Sequence, residues 1–386
     1  HGWVADQLQR LRGSLKDCQI LELYAGAAAM GLALAARGAR VTAVDQYAPS
    51  LAQAKRAASA QGLSLDTRAE PAEQALSLVQ TQNYEAVIVD PPRRGLSPAV
   101  REAMGGAAAR WFVYVSCEPT TLARDLAHLA RLGLRVEQLA PLDMIPHSES
   151  VETAVLLVRG APVPPEVLYR DGCLLAIDKP AFLSLHHRQG GQPSLLDRVR
   201  SLDGFETAVP LDSEPLDTAA SGVCWFLARP ELLTQFSHAW QARDEHWSVL
   251  AQGVLRGKGR LGPFTYRRER VVGTHSLLSV SCLHEAADAR SASGQAPRAR
   301  RERTRPIGSY LKPIRHPLLG DERFGNPAAN RYFIERHGLD RPFLHRRLVS
   351  WRPYGEAALE VSCEIPAELR QVLESLSAET GAAPGD

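Results

Sequence analysis

Two residues of the N-terminal half have side chains suited to covalent chemistry. Cys117 lies in the tetrapeptide SCEP, directly after the apolar run Trp111–Val115. A lone cysteine after an apolar strand is more often a buried structural thiol. Polar residues follow it here, which favours a nucleophile, because a partly exposed thiol among polar groups can ionise and attack. Glu152, just before the apolar run 154–158, would by itself be a surface acid.

Three further positions suit the binding of a nucleotide-like ligand. The segment LELYAG ends at Gly26 and leads through three alanines into a predicted helix, and such small residues let the backbone approach a ligand closely. Asp45 follows about twenty residues later, where an acid can accept hydrogen bonds from ribose hydroxyls. Asp90 begins the sequence DPPR, whose prolines fix a rigid turn that points Asp90 into the ligand crevice of such sheets.

The elements that must position these residues alternate along the first 160 residues. Short apolar runs predict strands, and the stretches between them predict helices. Strands that alternate with helices imply an α/β fold, a parallel doubly wound sheet with helices on both faces. The predicted strands are 20–24, 41–45, 86–90 and 111–116, and the predicted helices are 30–37, 50–61 and 122–132.

After residue 160 the pattern changes. Residues 160–165, GAPVPP, are the best linker candidate, so we predict domains at 1–160 and 161–386. Strand-like pieces at 174–177, 222–227 and 277–282 are separated by irregular connections, which predicts a mixed-sheet α+β domain. The stretch 286–305 is rich in arginine and small residues and predicts a mobile loop.

Composition narrows the function classes. The 386 residues carry a net charge of only +2, so contact with a nucleic acid must come from local basic patches. The six cysteines form no CxxC pair, which argues against a zinc site and for a reducing cytoplasm. No apolar stretch is long enough to span a bilayer, and no signal-peptide pattern begins the chain. We therefore expect a cytoplasmic protein without a membrane partner or a metal, and the sequence leaves its oligomeric state open.

The order LELYAG, AVD, DPPRRG, YVSCEPTTLARDL and DMIPHSESVE, within residues 15–158, resembles the RNA 5-methyluridine methyltransferase family. The resemblance implies a Rossmann-like methyltransferase domain that uses S-adenosylmethionine. It implies Cys117 as the nucleophile, Glu152 as the base and Asp90 as a hydrogen-bonding group near the base or the cofactor. Tyr24 and Gly26 would line the cofactor and Asp45 would hold its ribose. The expected partner is RNA, with ribosomal RNA foremost.

The family's chemistry explains these residue types. Uracil C5 is too weak a nucleophile to take a methyl group directly. A thiolate adds to C6 and makes C5 carbanion-like, C5 takes the methyl group, a base removes the C5 proton, and the thiol leaves. The target base must be extruded from any stacked structure to reach the thiol.

This chain departs from the family in its first loop, where a glycine and an asparagine are replaced by Ala28 and Ala29. A methyl group at position 28 is expected to crowd the cofactor, and the lost asparagine removes a contact. Ser150 replaces the family's histidine two residues before the base. The family's upstream glutamine motif would precede His1, so we expect a fragment or a processed chain.

The second half resembles RluA-type pseudouridine synthases over about residues 165–375. The matching segments are VLYRD, LLAIDKP, PLDTAASG, PLLGDERFG and FLH, in that order. The resemblance implies that Asp217 attacks the sugar or assists the departure of uracil. Without that family context, an aspartate in such a loop is more often a turn residue.

The surroundings of Asp217 differ from that family. The usual His-Arg is Glu214-Pro215, a site tyrosine is Trp247, and the basic residue that pairs with the aspartate aligns with Gly308. Lost arginines remove phosphate anchoring and charge balance. We therefore expect this half to bind RNA with weakened or absent synthase activity.

Three functions follow. The first is an RNA uridine methyltransferase that carries a pseudouridine synthase-like domain for RNA binding. The second is a pseudouridine synthase with a vestigial methyltransferase half. The third is a non-catalytic RNA-binding protein. Intact Cys117 and Glu152 favour the first, Asp217 keeps the second open, and the replacements at positions 28, 29, 215 and 308 favour the third.

Overall fold

The computed structural model describes residues 1–81, 83–142, 151–187, 193–212, 216–282, 305–355 and 357–379. They fall into two compact units, His1–Pro164 and the chain from Pro165 onward. Within these ranges, no helix is both long and apolar enough to cross a membrane. Some residues interpreted above lie outside the described ranges: 143–150, Glu214-Pro215 and the arginine-rich stretch as far as residue 304.

The first unit alternates strands and helices. Its strands are β1 (Gln19–Leu23), β2 (Arg40–Asp45), β3 (Leu65–Ala69), β4 (Ala86–Val89), β5 (Trp111–Ser116), β6 (Leu134–Leu142) and β7 (Glu152–Arg159). Its helices are α1 (Gly2–Arg12), α2 (Ala29–Ala35), α3 (Ala48–Ala60), α4 (Leu76–Thr81), α5 (Pro98–Gly106) and α6 (Pro119–Arg131).

One sheet organises this unit, in the order β3-β2-β1-β4-β5-β7-β6. The first five strands of that order pair in parallel. The inner strands β1, β4 and β5 are buried on both faces, against α1, α2 and α3 on one side and α4, α5 and α6 on the other. The unit therefore has the predicted Rossmann-like α/β fold, with helices on both faces.

One strand runs against the predicted parallel direction. β7 is antiparallel to both of its neighbours, β5 and β6. The connection from Leu142 to Glu152 is too short for the crossover of a dozen or more residues that a parallel neighbour needs. The chain therefore turns back on itself at this edge, and Glu152 begins the returning strand.

The second unit contains ten strands within the described residues. They are β8 (Glu166–Arg170), β9 (Leu174–Lys179), β10 (Val209–Pro210), β11 (Ser221–Leu227), β12 (Asp244–Ala251), β13 (Lys258–Leu261), β14 (Phe264–Val272), β15 (His275–Cys282), β16 (Leu344–Trp351) and β17 (Leu359–Ser362). The helices are α7 (Leu195–Arg200), α8 (Leu233–Gln241), α9 (Ile307–Leu311), α10 (Pro327–His337) and α11 (Ala367–Glu379), with a 3-10 turn at Pro230–Leu232.

These strands form one mixed sheet, in the order β13-β14-β15-β12-β16-β11-β9-β8, with β10 beside β11 and β17 beside β16. The pair β11–β16 is parallel, and the other pairs of this order are antiparallel. Apolar residues of α10 and α11 pack on part of the sheet through Phe333 and Leu369. The described part of this unit therefore has the predicted mixed-sheet α+β architecture.

Candidate active site

The strand register of the first unit brings three predicted residues to one edge of the sheet. Leu23, the last residue of β1, pairs with Val44 of β2 and Val89 of β4. Tyr24, Asp45 and Asp90 each end or follow one of these strands. The carboxyl ends of parallel strands form the crevice in which open α/β sheets bind ligands.

The turn after β1 has an unusual backbone. Tyr24, Gly26 and Ala28 all have positive φ angles, of 60°, 54° and 51°. Two of the three are not glycine, and left-handed backbone costs such a residue of order 1–2 kcal/mol. Asp45 holds this turn, because its two carboxylate oxygens accept hydrogen bonds from the Gly26 N–H at 2.8 Å and the Tyr47 N–H at 2.7 Å.

The side chain of Ala28 does not lie where the sequence suggested. Ala28 is completely buried in the core on the α2 side of the sheet, together with Met30 and Leu34. A fully buried methyl group cannot touch a ligand in the crevice, so the expected crowding of the cofactor is wrong. The replacement of glycine here costs backbone strain instead.

Below this turn lies a buried acid that sequence reasoning missed. Glu22 is fully buried in β1 and accepts the N–H of Gly31 at 2.9 Å. Burial raises the pKa of Glu22 to about 8, the Gly31 N–H lowers it, and the negative charges of Asp90 and Asp45 raise it further. The other carboxylate oxygen has no hydrogen-bond partner. The underside of the crevice therefore holds a carboxyl group that is largely protonated at neutral pH.

Cys117 and Glu152 meet through the antiparallel edge of the sheet. Ser116 at the end of β5 pairs with Thr153 of β7. The next residue along β5 is Cys117, and the preceding residue of β7 is Glu152, so the register places the two beside each other. Both side chains are partly exposed. The sheet itself, and not a long loop, sets their separation.

Their mutual charges show that Asp90 belongs to the same cluster. Partial burial raises the pKa of the Cys117 thiol, the charge of Glu152 raises it further, Arg93 lowers it and Asp90 again raises it. Partial shielding by the surrounding protein raises the pKa of Asp90 to about 6, and the negative charge of Glu152 adds to that rise, although solvent still reaches the Asp90 side chain. In the free protein the cysteine is therefore a thiol at neutral pH.

This arrangement predicts an alkaline reactivity profile for Cys117. Because the thiolate is the nucleophile, we expect alkylation by iodoacetamide to be slow at pH 7 and to rise about tenfold per pH unit, with a midpoint above that of an unperturbed thiol. Glu152→Gln should lower the midpoint and Arg93→Ala should raise it, since each removes one charge. Mass spectrometry of the Cys117 peptide measures the rate. A midpoint below about 8.5, the value of an unperturbed thiol, would contradict this electrostatic description.

The polar residues after Cys117 have a different role from the one predicted. Asp125 of α6 is fully buried, and it accepts hydrogen bonds from the Leu96 N–H (2.7 Å), Arg101 (2.6 Å), the Tyr114 hydroxyl (2.7 Å) and Arg124 (2.8 Å). Arg124 also donates to the carbonyl of Arg94 at 2.9 Å. Arg124 and Asp125 therefore anchor the loop that follows Asp90 and are not solvated groups around the thiol.

Asp217 lies in the second unit, on the loop before β11, and its side chain is about half exposed. Its carboxylate forms an ion pair with Arg323 at 2.8 Å and accepts the Ala219 N–H at 3.1 Å. Behind the loop, the fully buried Lys179 donates to the carbonyls of Asp217, Thr218 and Ala220. The buried Lys179 thus fixes the loop from behind, and the exposed Arg323 pairs with the carboxylate of Asp217.

The expectation that Asp217 lacks a basic partner is therefore wrong. Gly308 stands at the position where the resembled family has its basic residue, and it is buried. A Cβ at this position would collide with the carboxylate of Asp321. Arg323 supplies the cation from another segment, 106 residues from Asp217. Trp247 is half-buried and donates to Glu245 at 3.1 Å, so its indole N–H is held within the sheet.

The first unit is similar in sequence to known RNA-modifying enzymes. Residues 2–160 match the family model described as tRNA (Uracil-5-)-methyltransferase. The 23S rRNA (uracil(1939)-C(5))-methyltransferase RlmD of Pseudomonas aeruginosa (strain UCBPP-PA14) is 39% identical over 148 residues, 37% of this chain and 32% of that protein. The 23S rRNA (uracil(747)-C(5))-methyltransferase RlmC of Vibrio vulnificus (strain CMCP6) is 35% identical over 159 residues, 41% of this chain and 39% of that protein.

Two solved structures are similar to parts of the chain. The Pyrococcus abyssi tRNA (uracil-54, C5)-methyltransferase in complex with S-adenosyl-L-homocysteine is 29% identical, with a TM-score of 0.35, over 40% of this chain and 37% of that one. Human RNA Pseudouridylate Synthase Domain Containing 4 is 15% identical, with a TM-score of 0.41, over 54% of this chain and 92% of that one.

The chain spans only 32% and 39% of the length of the two curated relatives. Within residues 2–160, the family match supports the predicted enzyme class, RNA (uracil-5-)-methyltransferase, and with it the predicted cofactor of that class, S-adenosylmethionine.

Proposed function

We propose that this protein methylates C5 of uridine in RNA, ribosomal RNA foremost, with Cys117 as the nucleophile and S-adenosylmethionine as the methyl donor. The observation that carries the proposal is the pairing of β5 with β7, which sets Cys117 beside Glu152 at the edge where Asp90 also lies. The match of residues 2–160 to the methyltransferase family supports the same chemistry.

The residues of the crevice fit the cofactor. Gly26 offers a backbone without a side chain at the start of α2, and Ala28 is buried out of the way. Asp45 uses one lone pair on each oxygen for the backbone, which leaves further acceptor sites for ribose hydroxyls. Tyr24 lies in the turn itself, and the exposed Tyr47 is held by its backbone N–H to the Asp45 carboxylate. When bound, the cofactor would supply the electrophilic methyl group.

Each acidic and nucleophilic group then has a distinct task. The Cys117 thiolate adds to C6 of the extruded uracil and makes C5 nucleophilic. After C5 has taken the methyl group, Glu152 removes the C5 proton as general base and the thiol leaves. Asp90, whose pKa is raised to about 6, can donate a hydrogen bond to the base when it is protonated.

Titration of S-adenosylmethionine into the purified chain by calorimetry tests the proposal. We expect micromolar binding, and we expect Asp45→Ala to weaken it by about tenfold or more, because a charge-assisted acceptor is lost and the Gly26 turn is released. Asp66→Ala is the matched control, since Asp66 is an exposed acid of the neighbouring strand β3. No binding at millimolar cofactor would sink the methyltransferase assignment for this chain.

For the second unit, RNA binding with a pseudouridine synthase-like site is the second candidate function. It rests on the exposed Asp217 and its ion pair with Arg323. A carboxylate that is oriented and neutralised by a guanidinium has the charge balance that the sequence alignment appeared to lack. Asp217→Asn separates the two functions, because it should abolish any pseudouridine formation and leave methyl transfer unchanged.

A further inference from the structure

The second unit carries a basic surface that belongs to neither candidate catalytic site. Between residues 256 and 270 there are six cationic side chains and one acidic one, in a chain whose total net charge is +2. These residues lie on or beside β13 and β14, at one end of the sheet. A groove of about 770 Å³ lies there, and its lining includes Lys258, Arg260, Arg267, His246, Ser279 and Ser281.

The strand register explains why this surface is polar. One cross-strand row is Lys258, Arg267, Ser279 and Ser248, and the next is Arg260, Thr265, Ser281 and His246. Residues two apart on a strand lie on the same face, so both rows share one face of the sheet. All eight side chains are polar, and none is acidic. We name these eight residues the basic face.

The opposite face of the same strands is apolar and covered. Leu261, Phe264, Leu278 and Val280 alternate with the residues of the basic face, and they pack against Ile307 and Leu311 of α9. Lys258, Arg260 and Arg267 are exposed, Thr265, Ser279, Ser281 and His246 are half-buried, and Ser248, at the inner end of its row, is buried. The sheet therefore buries one side for stability and leaves the other side, with its cations, in contact with solvent.

The cations of the basic face are available to a ligand. Among the described residues, no carboxylate lies within ion-pair distance of Lys258, Arg260 or Arg267. The acids on strands β12 to β15 are Asp244 and Glu245 of β12 and Glu269 of β14. Glu245 is paired with Arg243 at 2.5 Å and Glu269 with Arg347 at 3.8 Å. His246 and Ser281 are already oriented by a mutual hydrogen bond of 3.0 Å.

We infer that the basic face binds the phosphate backbone of RNA. Phosphate oxygens take hydrogen bonds from lysine, arginine, serine and threonine side chains, which are the types that make up both rows. Cations at alternate positions along β13, with another on β14, present several charges to one extended polyanion. The choice of RNA over other polyanions rests on the function proposed above; the location of the surface does not.

The test compares two triple variants of the full chain for binding to a fluorescein-labelled, 20-nucleotide single-stranded RNA. Lys258→Gln, Arg260→Gln and Arg267→Gln together should weaken binding at least tenfold near 0.1 M salt. The slope of log K against log salt concentration should fall by about 2, at roughly 0.7 per lost phosphate contact. The matched control is Arg229→Gln, Arg331→Gln and Arg370→Gln, which removes the same charge from exposed positions elsewhere in the unit and should leave the affinity within about twofold.

Equal RNA affinities of the two triple variants would overturn the proposal. A competition assay gives a second test: polyglutamate that displaces the labelled RNA as well as unlabelled RNA does would also overturn it. Both variants alter exposed side chains, so unchanged thermal unfolding should accompany the result. Titration of S-adenosylmethionine into the same variants reports separately on the first unit. If a variant loses RNA binding and still binds the cofactor, the result concerns the basic face alone. If the parent protein does not bind the cofactor, the result concerns the proposed methyltransferase alone.

Discussion

A Cys117→Ala variant should lose methylation of RNA uridine by at least about 10³-fold and still bind S-adenosylmethionine with the affinity of the parent protein. The thiol supplies the covalent step, and no other cysteine lies at this edge of the sheet among the described residues. Transfer of a labelled methyl group, followed by nucleoside mass spectrometry, measures the loss. Cys173→Ala, at a similarly half-buried cysteine of the other unit, is the matched control and should retain activity.

Glu152→Gln should separate the two halves of the reaction. Loss of a general base costs about 10²–10⁴-fold in rate. Because the thiol leaves only after the C5 proton is removed, a covalent protein–RNA adduct that survives denaturing electrophoresis should accumulate. The adduct should be absent when Cys117→Ala is added. A fully active Cys117→Ala protein would refute the nucleophile assignment.

Asp217→Asn in the same assay distinguishes the two candidate functions. It should leave methyl transfer unchanged, because Asp217 lies in the second unit, and should abolish any pseudouridine that the parent protein forms. If pseudouridine forms and depends on Asp217 while no methyl group is transferred, the second unit is the enzyme. If neither product forms, both catalytic proposals fail.

Asp125→Ala is expected to destabilise the first unit by about 3–5 kcal/mol, the cost of breaking a buried ion pair by removing one partner. Arg101 and Arg124 are both almost fully buried and would lose their shared carboxylate, and the Tyr114 hydroxyl would lose its acceptor. Hydrogen exchange followed by mass spectrometry over residues 98–131 reads this unit without interference from the other.

The control for Asp125 is an exposed ion pair of the same unit. Asp6 pairs with Arg37 at 2.7 Å, but the Asp6 side chain is 65% exposed, and such pairs contribute little in water. Asp6→Ala should therefore leave exchange over residues 98–131 unchanged. Equal protection of the two variants would show that the Asp125 cluster does not support the fold.

The sequence predicted the core of the first unit well because its strands are continuous apolar runs, and residues 111–116 match β5 from end to end. The strand β3 was missed, since its sequence LDTRA lies at the sheet edge and buries only Leu65 fully. The helices α1, α4 and α5 and the strands β6 and β7 were also not predicted. The helices α4 and α5 are short, and such elements are stabilised mainly by packing on the rest of the fold.

The sequence predicted which residues form the candidate site, but it did not predict how the fold brings them together. Cys117 and Glu152 were assigned through a family resemblance, but the antiparallel register that joins them depends on the turn back after β6. Arg124 and Asp125 look like solvated residues in the sequence, because nothing local reveals that Arg101 and Tyr114 complete a buried network around them. Contacts between distant segments decide such cases.

The ion pair of Asp217 with Arg323 bears on how inactive homologues are recognised. A comparison made one aligned position at a time would count Gly308 against a synthase role for this protein. The field at a carboxylate, however, depends on whichever guanidinium reaches it, and here that group comes from a different position. The charges that surround a candidate catalytic acid are thus a better criterion of its competence than the residue at one aligned position.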